Sequence, residues 1–105
     1  MSNNFDAQVQ RNLLGKKLEK EGRVLEAKAL YEANVLENFE GSFPYKRLAV
    51  LYRKRRLFAE EVRILEKAIS VFGTLTTSKR SDVQPKLEKF KEGLKKAKAK
   101  MSKSK

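Results

Sequence analysis

The chain has 105 residues, enough for one modest hydrophobic core and too few for two. It holds no cysteine and no histidine, which removes disulfides, thiol nucleophiles, ordinary zinc sites and imidazole acid–base chemistry; no cofactor or metal is expected. Its 25 lysines and arginines against 13 acidic residues give a net charge of +12, a field that favours an anionic partner such as nucleic acid, an acidic peptide or a membrane surface.

The first predicted helix covers about residues 5–20. Phe5, Val9, Leu13, Leu14 and Leu18, with Ala7 beside them, fall on one helical stripe, and Asn3, Asn4 or Asp6 is placed to cap its start. Glu21, Gly22 and Arg23 end it, glycine supplying the left-handed backbone of a helix stop. A second helix is predicted over 24–36, with Leu25, Ala27, Leu30, Tyr31 and Val35 inward. After a break at 38–43, Pro44 opens a third helix to about residue 55, where a missing N–H costs nothing. That helix turns Tyr45, Leu48, Ala49, Leu51 and Tyr52 inward. A fourth, about 58–72, uses Phe58, Val62, Leu65, Ala68, Ile69 and Phe72. Residues 73–78 are poor helix formers and read as a loop. Ser81 or Asp82 caps a fifth helix over 82–97, whose stripe is Val83, Leu87, Phe90, Leu94 and Ala97, with Met101 in line beyond it. Residues 98–105 contain only Lys, Ser, Ala and Met, and are expected to form a basic flexible tail.

Charge follows this organisation unevenly. Residues 1–45 carry six basic and seven acidic side chains, residues 46–80 ten and three, and residues 81–105 nine and three. The start of the chain has no basic stretch followed by an apolar run, so no signal peptide is expected, and no run of 18 apolar residues suggests a membrane span. The absence of cysteine fits a reducing compartment, and the cytoplasm is the expected location.

A shift of 34 residues aligns Leu14 with Leu48, Gly15 with Ala49, Leu18 with Tyr52, Val24 with Phe58, Tyr31 with Leu65 and Asn34 with Ala68. One copy, about 8–41, supplies Leu14-Gly15 and then Ala27 with Tyr31 four residues on. The other, about 42–75, supplies Tyr45, Leu48-Ala49, Tyr52 and Ala68. At this period and with these residues the chain resembles the tetratricopeptide repeat (TPR) family, over about two-thirds of its length. Arg11 stands at the family's tryptophan position, Leu18 at its tyrosine and Phe39 at its proline. Glu61 stands where the family's small alanine lets paired helices approach. Either the glutamate sits at a loosened contact or the fourth helix is rotated. The resemblance implies an all-α fold of antiparallel helix pairs, with residues 1–97 as one TPR-like domain and the fifth helix as its cap. Two repeats and a cap make a short stack, which a homodimer through one end would reinforce.

In TPR proteins the first helix of each pair lines a concave groove that holds a peptide or a partner helix. By this resemblance the groove-facing positions here are Asn12, Lys16 and Lys20 in the first helix, and Lys46, Arg47, Val50, Arg53 and Lys54 in the third. Family members that grip a terminal carboxylate use lysine, asparagine and arginine on this surface. Asn12, Lys16 and Lys46 are similar to that set, but with asparagine and lysine exchanged and a third repeat lacking. The expected function is therefore a non-enzymatic interaction module that binds an acidic protein segment through charge-assisted hydrogen bonds.

Arg53, Lys54, Arg55 and Arg56 place four positive charges at one helix C-terminus, more than the helix dipole calls for. With Lys95 and Lys96 they form the alternative, a phosphate-binding surface for nucleic acid. Against it, the aromatic residues lie on the apolar stripes and leave no stacking platform. The lysine-rich end also suits a weak contact with anionic lipid. No enzyme is expected. Glu37, Glu40, Glu60 and Glu61 lack a partner base, a phosphate cradle or a metal-ligand cluster, and adjacent helical residues such as Glu60 and Glu61 point apart.

Overall fold

The computed structural model describes residues 4–103, and among them the chain is all-α. Five helices follow one another: α1 (Asn4–Lys20), α2 (Val24–Leu36), α3 (Phe43–Lys54), α4 (Phe58–Gly73) and α5 (Val83–Lys103). Each packs on the next in chain order, giving a flat body of 46 × 36 × 19 Å. Asn3, one of the expected capping residues, lies outside the described residues.

The α1–α2 turn closes through Gly22, at φ 78°. The Arg23 N–H donates to the Leu18 carbonyl at 2.8 Å and the Gly22 N–H to that of Glu19 at 3.0 Å, satisfying carbonyls a bare helix end would leave open. The α3–α4 turn, 34 residues on, has the same form: Arg56 stands at φ 58°, the Leu57 N–H donates to Tyr52 and the Arg56 N–H to Arg53, both at 2.9 Å. The residues entering α2 and α4 also share a backbone. Arg23 has φ −91° and ψ 64°; Leu57 has φ −91° and ψ 70°.

The core runs through all five helices and is densest where α3, α4 and α5 meet. Tyr45, Phe72 and Phe90 contact one another edge-on, with ring centroids 5.3 to 6.5 Å apart. Such pairs contribute about 0.5–1.5 kcal/mol each beyond the area they bury. Val83, Leu87, Phe90 and Ala97 are buried, which fixes α5 along α4. The predicted flexible tail from residue 98 is corrected here: α5 stays helical to Lys103. Burial of Ala97, packing of Met101 against the core and a 3.8 Å ion pair from Lys98 to Glu66 account for the extension. The last two residues of that predicted tail lie outside the described residues.

The inward stripe of α1 is also corrected. Phe5, Leu13 and Leu14 are exposed, as is Leu25 of α2, and the buried residues of α1 are Gln8, Gly15 and Leu18. Polar contacts turn the helix this way. Asn34 is fully buried in α2; its amide donates to the Gln8 carbonyl and to Asn12 Oδ1, each at 2.8 Å, while Arg11 donates to its Oδ1 at 3.0 Å. Gly15 is needed at this contact, because a Cβ there would lie 2.5 Å from Cε1 of Tyr31.

Two carboxylates stitch the pairs together. Glu19 of α1 accepts from Tyr31 of α2 and from Arg47 of α3, and Glu32 of α2 accepts from Tyr52 of α3 and Arg63 of α4. The Arg47 hydrogen bond holds the Glu19 carboxyl below its usual range against the opposing effect of burial. Burial, with the bond to Glu19, pushes the Tyr31 hydroxyl well above its ordinary value.

Candidate functional site

Helices α3 and α5 both lean on α4 and leave an open groove of about 490 Å³ between them. Its floor is apolar: Ala49 and Val50 from α3, Leu65 from α4 and Phe90 from α5. Lys46 and Arg53 form one rim, Lys86 and Lys89 the other. Past Arg53, Lys89 and Gly93 it opens into a second hollow of about 440 Å³, where Lys96, Lys100, Glu61 and Glu92 join the walls. A third, of about 340 Å³, follows at Arg56, Phe58 and Lys103 and shares Arg53 and Lys100 with the second. The three make one basic trough along α3 and α5, and Arg53 lines all of it.

Helix periodicity builds both walls. On α5 the buried stripe steps through 83, 87, 90, 94, 97 and 101. A second stripe at 86, 89, 93, 96, 100 and 103 lies about 100° around the helix and faces the trough. On the other side, Lys46, Val50, Arg53 and Arg56 follow the same three- and four-residue steps along α3 and its end. Lys86 pairs with Asp82 at 3.0 Å, and Arg80 followed by Lys86 holds the Asp82 carboxyl far below its ordinary range. Arg53 Nε donates to Glu61 at 2.9 Å. Lys46, Lys89, Lys96, Lys100 and Lys103 have no ionic partner among the described residues.

Three residues of the trough work against stability. Arg56 holds a left-handed backbone that costs an L-residue about 1–2 kcal/mol, where the matching turn has Gly22. Gly93 sits mid-helix, although a Cβ there would meet Leu65 at an ordinary 3.6 Å; glycine costs about 1 kcal/mol against alanine at such a site. Glu61 is a carboxylate at 3 % exposure, where the matching residue of the first pair is buried Ala27. Choices that break local rules at one place on the surface are a mark of function.

The residues expected to contact a partner divide between the trough and the rest of the surface. Lys46, Val50 and Arg53 line the trough, Arg56 closes its end and Lys96 stands in its second hollow. The trough's second wall is α5, and the residues expected on α1 do not line it. Asn12 is engaged by Asn34 of α2, and Arg47 of α3 bonds Glu19 of α1. Lys16 and Lys20 on α1, Lys54 and Arg55 beyond the trough, and Lys95 on α5 are exposed and line none of these hollows. Lys86, Lys89, Gly93, Lys100 and Lys103 were missed, although the second heptad-like stripe of α5 marks them in the sequence.

Among the described residues no cluster of three or more acidic side chains is arranged to hold a metal ion, and no helix is long and apolar enough to cross a membrane. No family model, curated protein or solved structure matches the chain significantly.

Proposed function

We propose that this chain is a non-enzymatic interaction module that binds an acidic, amphipathic protein segment in the α3–α5 trough. One observation carries the reading: an apolar floor lies between two basic rims, and five of the rim ammoniums have no partner in the fold among the described residues. Unpaired like charges along one trough repel one another and weaken the fold, so an external anion is what relieves them. A helix with one apolar stripe edged by carboxylates matches floor and rims together. Nucleic acid matches less well: Phe58 and Phe90, the rings that line the trough, are buried and leave none there to stack a base.

The recurrence after 34 residues of the αL turn and of the helix start that follows it, Val24 and then Phe58, supports the TPR resemblance. On that reading α1, α3 and α5 are the first helices of successive units, and the trough lies where TPR proteins hold their ligands. The absence of cysteine favours a reducing compartment such as the cytoplasm.

The test is a fluorescently labelled fourteen-residue probe, Glu-Leu-Ser-Glu-Glu-Leu-Ser written twice, titrated by anisotropy. Lys46→Glu with Lys89→Glu reverses one charge on each rim and is expected to weaken binding about 100-fold, roughly 2.7 kcal/mol over two contacts. Lys54→Glu with Lys95→Glu makes the same change in net charge outside the trough and is expected to cost only a few-fold. Equal losses for the two pairs would show that the probe reads overall charge, and the trough would lose its role.

A further inference from the structure

The strongest unexplained feature of the trough is a single oxygen. Glu61 sits in its wall at 3 % exposure, and only one side of its carboxylate is used: Arg53 Nε donates to Oε2, while Oε1 is buried without a hydrogen-bond partner. An unsatisfied buried acceptor costs about 1–3 kcal/mol, more for a charged group. The first helical pair avoids this cost with Ala27 at the matching position. Position 61 lies on the buried stripe of α4 with Leu65, Ala68 and Phe72, so α4 keeps its register and carries the glutamate into the wall.

Glu61 belongs to the second hollow, whose other walls are the long side chains of Arg53, Lys89, Lys96 and Lys100, with Glu92. When carboxylates of a bound segment draw the ammoniums of Lys89, Lys96 and Lys100 outward, the hollow opens toward Oε1 while Arg53 stays on Oε2. What then reaches it must donate a hydrogen bond. Four neighbouring cations repel a lysine or arginine, and a phosphodiester has no proton to give, so the matching group is neutral: a hydroxyl or a carboxamide. Arg53 keeps its terminal guanidinium nitrogens for an acidic neighbour of that group.

We propose that Glu61 is the specificity-determining residue of the trough: its free Oε1 accepts a hydrogen bond from a serine, threonine, asparagine or glutamine borne within the acidic segment. A basic trough with one buried acceptor selects acidic segments that carry such a donor over segments that are merely acidic, and over polyphosphates. The inference rests on the reading of the trough as a binding site for an acidic segment.

The experiment compares two forms of the probe that differ only in four serines or four alanines, on the wild-type chain and on Glu61→Leu. A serine hydroxyl both donates and accepts, so the variant must offer it neither partner, and leucine does so at similar size. The wild type is expected to bind the serine form about tenfold tighter, against the higher helix propensity of alanine, and Glu61→Leu to erase the preference. Equal binding of both forms by the wild type overturns the proposal without any variant, and so does a preference that survives in a folded Glu61→Leu. If both forms bind equally and Lys46→Glu with Lys89→Glu still abolishes binding, the trough stands and Glu61 alone loses its role. If neither form binds, both readings fall. They fall equally if a fourteen-nucleotide oligothymidylate binds more tightly than either peptide near physiological salt and Glu61→Leu strengthens it further.

Discussion

The two helical pairs share one turn and fill it differently. At the left-handed position the α1–α2 turn has Gly22 and the α3–α4 turn has Arg56; five residues further on, the first pair buries Ala27 and the second buries Glu61. Charge is treated just as differently. In the first pair Arg11 meets Glu37 at 2.9 Å, Arg23 meets Glu26, and Glu19 is taken by Arg47. Along α3 and α5, Lys46, Lys89, Lys96, Lys100 and Lys103 face the trough without an ionic partner among the described residues. The first pair thus satisfies the polar groups it buries, Gln8 and Asn34, while leaving Phe5, Leu13, Leu14 and Leu25 exposed. The second pair and α5 give up stability at chosen places, and those places share one surface.

The two mid-helix glycines put this contrast to the test. Gly15→Ala forces a Cβ to 2.5 Å from a Tyr31 ring that is held by its bond to Glu19 and by an edge contact with Phe43, so the ring has no free way to retreat. A loss of about 2 kcal/mol and a fall in Tm of roughly 10 °C are expected in thermal denaturation followed by circular dichroism. No change in Tm would mean that α1 and α2 are not in close contact. Gly93→Ala is expected to do the opposite, raising stability by about 0.5–1 kcal/mol because its Cβ meets Leu65 at an ordinary distance. The added methyl narrows the junction of two hollows, so probe affinity should drop several-fold while Tm rises. Arg56→Gly completes the series with the smallest gain, about 0.5 kcal/mol, since relief of the left-handed backbone is offset by loss of the cation–π contact with Phe58 at 5.4 Å. A destabilised Gly93→Ala would break the contrast, because glycine would then be structural in both halves.

Much of this was readable from the sequence, for physical reasons that differ by helix. Helices α2, α3 and α4 begin within a residue of their predicted starts, because the Gly22 stop, Pro44 and the change of stripe at Phe58 are local signals. The buried stripe of α5 was legible because nothing polar competes on that face. The extent of α1 was legible but its inward face was not: its orientation is set by Asn34 and Glu37, more than twenty residues away, and no periodicity in 5–20 encodes a buried amide at that distance. The same applies to the site. Lys46, Val50 and Arg53 stand out on their own helix. Which neighbour leaves a hollow beside them depends on Arg47 closing against Glu19 and on glycine at 93 opening the other side. Glu61 was legible as a departure from the repeat, but its half-used carboxylate was not.

Amide chemical-shift mapping of the wild-type chain with the unlabelled serine probe shows whether the acidic segment lies between α3 and α5. The largest shifts are expected on Lys46, Val50, Arg53, Lys89, Gly93 and Lys96, with α1 unaffected. Shifts centred on Asn12, Lys16 and Lys20, or spread evenly over every exposed lysine, would contradict that placement.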